Sequence, residues 1–181
     1  MQRNSFPSFQ RGLTLIEMCT VVAIASVLAG TAAPSLIDST KKRVLDGSVG
    51  ELATDIYLAR SEAVTRQQGV RVSFHSVASG SCMVIHTGST ADCGCDADGV
   101  AQCTNGASLV KAAFYPSSRG VSVTANVASM RFDQNNGTVT PAGTVRVTAT
   151  STGSEVRHVV NIMGRVRTCS PAGSAKGYTA C

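Results

Sequence analysis

Residues 13–33 read LTLIEMCTVVAIASVLAGTAA, an apolar run whose one charged side chain is Glu17. At about 1.5 Å of helical rise per residue the run reaches about 30 Å, the depth of a bilayer's hydrocarbon core. Residues 1–12, MQRNSFPSFQRG, are polar and carry Arg3 and Arg11 but no acid, which orients the N-terminal side toward the cytoplasm. A cleaved secretory signal fits poorly, because the run is longer than an h-region of about 7–15 residues. The small-residue site Thr31-Ala32-Ala33 also leads straight into Pro34. A plain anchor leaves Glu17 unexplained. A carboxylate in hydrocarbon costs roughly 2.5–3.5 kcal/mol and needs a partner or a role.

The stretch Arg11-Gly12-Leu13-Thr14-Leu15-Ile16-Glu17 resembles the processing site of type IV prepilins and pseudopilins. The resemblance implies that residues 1–12 are a leader, cut after Gly12 by a prepilin peptidase, and that the new N-terminal Leu13 is methylated. Counted from Leu13, Glu17 is the fifth residue and Pro34 the twenty-second, both matching the family pattern, while Leu13 departs from the usual Phe. Cutting at Gly12 creates an ammonium at Leu13, and that of an adjacent subunit can neutralise Glu17 in a packed filament. Gly12 and Leu13 are thus the processing residues, and Glu17 and Pro34 the assembly residues.

Outward from the run, Pro34 is expected to kink a helix that continues. Leu45, Val49, Leu52, Ile56, Ala59 and Ala63 then step by four and three, one apolar stripe on a helix face. Lys41, Lys42, Arg43, Asp55, Arg60, Glu62 and Arg66 fall mostly elsewhere. The helix is expected from about 14 to 67, roughly 80 Å long, with Gly69 as its stop. From Val70 the period becomes two. Val70–Phe74, Cys82–His86, Leu109–Tyr115, Val121–Val127, Met130–Phe132, Thr144–Thr150 and Val156–Met163 are short β-branched runs between turn residues. Asn135-Asn136-Gly137 predicts a hairpin turn, and Pro141-Ala142-Gly143 another. The fold class is α+β: a membrane and filament-core helix at 13–33, an amphipathic continuation at 34–68, and an antiparallel β-rich head at 69–181.

The whole chain, 181 residues with 43% hydrophobic and 15% charged, is long enough for one domain with a buried core. Aromatics are 4% with no Trp, which disfavours base-stacking platforms. The three histidines, His75, His86 and His158, form no helical zinc pair. Seven cysteines favour an oxidising compartment. With Cys19 in the apolar run, Cys82, Cys93, Cys95, Cys103, Cys169 and Cys181 remain for three bridges, with connectivity open among fifteen possibilities.

Cys93-Gly94-Cys95, Cys103 and the acids Asp92, Asp96 and Asp98 form one polar loop. Thiolates at this spacing suit zinc, and Asp96-Ala97-Asp98-Gly99 faintly echoes a calcium loop, but the twelfth position is Ala107 rather than Glu. Disulfides involving Cys82 and Cys103 are favoured over a metal. Cys169 and Cys181 bracket a tail with no hydrophobic periodicity, and a bridge between them would stabilise it by about 3 kcal/mol.

The last informative segment is Asn161-Ile162-Met163-Gly164-Arg165-Val166-Arg167. If Gly164 makes a turn or bulge, Arg165 and Arg167 lie two apart on one face of an extended chain. From Arg146 onward Arg146, Arg157, Arg165, Arg167 and Lys176 face a single acid, Glu155, within an overall charge of +5. The bland alternative is a solvated strand face, or ion pairs with the long helix.

A kinked N-terminal helix, a β-rich head and Gly164-Arg165-Val166-Arg167 near the C-terminus are similar to the GspH/FimT family. The basic element resembles that of FimT-type minor pilins, which bind DNA in natural transformation. The resemblance implies phosphate contacts from Arg165 and Arg167, a close backbone approach at Gly164, and support from Arg146, Arg157 and Lys176. Such binding to double-stranded DNA would be sequence-independent and steeply salt-dependent. It also implies an inner-membrane helix with a periplasmic head, later assembled with major and minor pilins in an extracellular pilus. The rival expectations are a structural minor pilin that primes assembly, or a GspH-like pseudopilin of a type II secretion system. No nucleophile–base pair, paired acids or phosphate-cradling loop marks an enzyme, and no cofactor is expected.

Overall fold

The computed structural model describes Gly12 and residues 14–181. The expected leader, apart from Gly12, and the expected methylation site Leu13 lie outside the described residues. The chain divides into two compact units, Met1–Thr40 and Lys41–Cys181. One helix, α1 (Leu15–Thr65), runs through both and continues unbroken through position 34.

In the first unit Leu15, Ile16, Val21, Val22, Ile24, Val27 and Leu28 are all more than half exposed. Its most apolar window has a mean hydropathy of 1.9 with no residue buried, long and apolar enough to cross a membrane. The Glu17 amide donates to Thr14 Oγ1. The Glu17 carboxylate has no partner among the described residues.

The second unit is built on the predicted stripe. Leu45, Val49, Leu52, Ile56, Ala59 and Ala63 are all buried, and full burial of each large aliphatic stabilises by roughly 1.5–3 kcal/mol. Asp55 departs from expectation. Placed with the polar face by its spacing, it is 1% exposed and meets Lys111 Nζ at 2.5 Å. The helix also ends otherwise than expected. Gln67, not Gly69, takes the left-handed conformation (φ 52°), and the amides of Gln67 and Gln68 donate to Val64 O and Ala63 O. That pair of bonds is a Schellman closure. Gly69 instead leaves room for the guanidinium of Arg131.

Eleven strands follow: β1 (Val70–Val77), β2 (Gly80–Thr87), β3 (Cys93–Cys95), β4 (Ala101–Cys103), β5 (Leu109–Pro116), β6 (Val121–Ala125), β7 (Ser129–Phe132), β8 (Val139–Thr140), β9 (Gly143–Ala149), β10 (Glu155–Val160) and β11 (Val166–Cys169). They form an antiparallel five-stranded sheet, β5-β2-β1-β7-β8, a four-stranded sheet, β11-β10-β9-β6, and the β3-β4 hairpin. Asn135-Asn136-Gly137 makes the β7–β8 turn as predicted, with Asp133 Oδ1 accepting the amides of Asn135 and Asn136. Pro141-Ala142-Gly143 carries the chain from one sheet to the other.

Inner-face residues of both sheets, among them Val70, Val72, Met83, Ile85, Tyr115, Phe132, Val145, Val147 and Val156, join the helix stripe in one core. A smaller cluster of Cys82, Val84 and Cys93, with Phe114 and Cys95, lies under the β3-β4 hairpin. The disulfides Cys82–Cys95 and Cys93–Cys103 staple that hairpin to β2 and across itself. Asp96, weighed as a calcium ligand, is a turn former: Oδ1 accepts the amides of Asp98 and Val100, and Oδ2 accepts from Gln102.

Candidate nucleic-acid interface

The basic element is a tight hairpin between β10 and β11. Gly164 has φ +70°, and its amide donates to Asn161 O at 2.8 Å. Asn161 Oδ1 accepts the amides of Met163 and Arg165, and the Asn161 amide donates to Arg165 O at 3.1 Å. This is a type I turn closed by a left-handed glycine. It explains why Asn161 and Gly164 stand where they do, and why the strand predicted to reach Met163 stops at Val160.

Gly164 is buried, and its surroundings differ from the expected approach of a ligand. A Cβ there would lie 2.6 Å from Gly137 O and 3.3 Å from both Cδ and Nε of Arg60. The atoms that come up to this glycine are the protein's own. The amide of Val139 donates to Ile162 O at 2.9 Å, so the hairpin tip also ties the two sheets together.

Arg165 and Arg167 are both exposed. The Arg165 guanidinium has no partner among the described residues. One amino group of Arg167 reaches the Cys181 backbone oxygen at 3.5 Å. Neither residue forms an ion pair with an acid of α1, and the α1 side chain beside this hairpin is itself a cation, Arg60. Tyr57, one turn earlier, directs its hydroxyl to Val166 O at 3.5 Å.

The supporting cations sort differently. Arg146 and Arg157 are cross-strand partners on β9 and β10, and both converge on Glu155 Oε1, at 3.7 Å and 2.5 Å. Their charge is therefore partly spent inside the sheet. Lys176 is exposed, in the tail closed by Cys169–Cys181, and forms no ion pair among the described residues. Arg165, directly before the edge strand β11, Arg167 on that strand, and Lys176 in the tail are thus the exposed members of the predicted set with no ion pair to an acidic side chain among the described residues. Apolar Ile162 and Met163, 66% and 56% exposed, form the hairpin tip next to the two arginines.

Arg60 was missed as a member of this site. Its signal was present in negative form. Positions 56, 57, 63 and 64 hold Ile, Tyr, Ala and Val, so Arg60 has no acid one turn away, whereas Arg66 pairs with Glu62.

Residues 48–164 match the family described as type II transport protein GspH. The match spans the head part of α1 and the sheets, and ends at the glycine of the basic element. The pilin-like protein PilA1 of Thermus thermophilus is 44% identical over 57 residues, 32% of this chain. That stretch spans about a third (35%) of the relative's length. Among solved structures, the type IV minor pilin FimU of Pseudomonas aeruginosa superposes with a TM-score of 0.50 at 17% identity, over 75% of this chain and 98% of that one. The minor pseudopilin EpsH of Vibrio cholerae gives a TM-score of 0.48 at 14% identity, over 70% of this chain and 97% of that one. A long N-terminal helix and an antiparallel head give the type IV pilin-like fold, and the family match runs over most of the chain: the chain belongs to the GspH family.

Proposed function

We propose that this chain is a minor type IV pilin whose head captures extracellular double-stranded DNA for uptake in natural transformation. In this reading a prepilin peptidase cuts after Gly12, Leu13 is methylated, and the helix leaves the inner membrane to join other pilins. Glu17 meets a neighbour's N-terminal ammonium, and Pro34 serves the same assembly. The observation that carries the DNA reading is the exposed pair Arg165, directly before β11, and Arg167, on β11, neither paired with an acidic side chain among the described residues, while Arg146 and Arg157 share Glu155. Two guanidiniums two residues apart at the start of an extended strand suit successive phosphates, and phosphate contacts bind without reading sequence. Arg146, Arg157 and Lys176 add to the field around them, and Gly164 holds the turn that presents Arg165.

The test is a titration of labelled duplex DNA with the compact unit Lys41–Cys181, which contains the whole main core and all three disulfides. Binding should weaken steeply between low and moderate salt and vanish in Arg165→Ala/Arg167→Ala with folding unchanged. No binding by the folded wild type at high micromolar protein would reject the reading.

The exposed Ile162 and Met163 favour a second reading, in which the same hairpin docks a neighbouring pilin in an assembly-priming subunit or a secretion pseudopilin. Loss of filament assembly in Ile162→Ser/Met163→Ser, with DNA binding intact, would select it.

A further inference from the structure

Arg60, half-buried beside the hairpin, is a cation with no protein acceptor among the described residues. Its side chain runs across two glycines from two different turns. A Cβ on Gly137 would lie 2.8 Å from Arg60 Nε and 3.1 Å from Cγ, and one on Gly164 would lie 3.3 Å from Cδ and Nε. Both glycines hold positive φ, +62° and +70°. The β7–β8 and β10–β11 turns thus leave a side-chain-free track, along which the Arg60 stem lies packed. Packing of that kind removes the rotamer entropy that a long cation otherwise loses on binding.

The charge at the end of that stem is left without a counter-charge. Arg66, Lys111, Arg119, Arg146 and Arg157 all have carboxylate partners within the head. Among the described residues Arg60 has none, and the residue that follows Gly164 is the equally unpaired Arg165. In the adjacent turn Asp133 Oδ1 is occupied by the amides of Asn135 and Asn136. Two guanidiniums from separate elements thus meet this turn: Arg60 packed against Gly164, and Arg165 next to Gly164 in the chain, the two cations an anion clamp needs.

We propose that Arg60 is a phosphate-binding residue of the hairpin site, so that α1 and β11 together grip the DNA backbone, with Gly137 and Gly164 serving as the track for its side chain. This rests on the DNA-capture reading and adds to it a residue outside the basic sequence element. The clamp fixes where the duplex lies: against the seam between α1 and the β10–β11 hairpin, not across the outer face of the four-stranded sheet.

The experiment uses the full chain in detergent micelles and a labelled duplex, titrated across a salt series. For Arg60→Gln we expect affinity about five-fold lower near 0.15 M salt and a log–log salt slope smaller by about one, the signature of one lost phosphate contact. Lys41→Gln, the same loss of charge about 28 Å away along the helix, should leave the slope unchanged. On the wild-type chain, DNA should protect Arg60 together with Arg165 from phenylglyoxal, read by peptide mass, which needs no substitution. Wild-type affinity and slope in Arg60→Gln, with Arg165→Ala/Arg167→Ala still inactive, would overturn the clamp and leave the hairpin site standing. Equal losses in Arg60→Gln and Lys41→Gln, or Arg60 modification indifferent to DNA, would overturn it as well. Absence of binding by the wild type would remove both readings together.

Discussion

His158 Nε2 lies 3.0 Å from the backbone oxygen of Val49, so a side chain of β10 closes a buried hydrogen bond on α1. A carbonyl only accepts, so Nε2 carries the proton and Nδ1 accepts from the Thr168 hydroxyl at 2.9 Å. The neutral ring is satisfied at both nitrogens. Burial pushes its pKa below the usual 6.5, partly opposed by the Val49 bond. His86, buried with Nε2 on Ser73 Oγ and Nδ1 on Thr87 O, is shifted the same way, chiefly by burial.

Both rings therefore bind protons more readily in the unfolded chain, and their contribution to stability declines as pH falls below about 6.5. Urea midpoints of Lys41–Cys181 should drop from pH 7.5 to 5.5, and His158→Gln should flatten that decline. An unchanged profile in the variant would remove His158 from this account.

Among the described residues Lys111 is the one ion-pair partner of the buried Asp55, whose Oδ2 has no hydrogen-bond partner. Lys111→Ala should destabilise the head by about 1–3 kcal/mol, less than a fully buried pair because Lys111 is partly exposed. Lys111→Met/Asp55→Leu should recover much of that loss. Equilibrium unfolding of the four combinations measures the coupling.

Gly164→Ala places a methyl 2.6 Å from Gly137 O at φ +70°. We expect a loss of about 1–3 kcal/mol. The amide shifts should concentrate in the β10–β11 and β7–β8 turns. Shifts spread through the four-stranded sheet, with those turns unmoved, would count against the packing described here.

Cys169→Ser/Cys181→Ser frees a tail whose ends are 12 residues apart. The loss should be about 3 kcal/mol, lowering Tm by on the order of 10 °C. The contact of Tyr178 with Asp46 Oδ1 should go with it. Burial and that carboxylate push the Tyr178 phenol up to about 12. Release of the tail should therefore bring its absorbance titration back toward the ordinary tyrosine range.

Much of the architecture was legible because it rests on periodicity. The steps from Leu45 to Ala63 named the buried face, and seven runs of period two marked strands that the structure contains. What escaped was decided by single contacts. Asp55 looks like a surface acid until Lys111, 56 positions away, is brought onto it. Gln67 takes the left-handed cap position, while Gly69 lies beneath the guanidinium of Arg131. The β3 and β4 strands are three residues each and are held by disulfides, so no pattern of that length announces them. At the hairpin, the turn at Gly164 was readable from the glycine. The arrival of Arg60 was not, since it depends on two turns converging on one helix side chain.

The bond from Val139 to Ile162 O has a mechanical consequence. It joins the edge strand β8 of one sheet to the tip of the hairpin that belongs to the other. Under the proposed capture, traction on a tether held at Arg165 would be divided between two ladders and the helix beneath them, instead of peeling one strand from its end. At the far end of β11 the tail is locked by a covalent loop, with Ser170 and Ser174 both donating to Glu155 O. The head is braced at both ends of the strand that would bear the load.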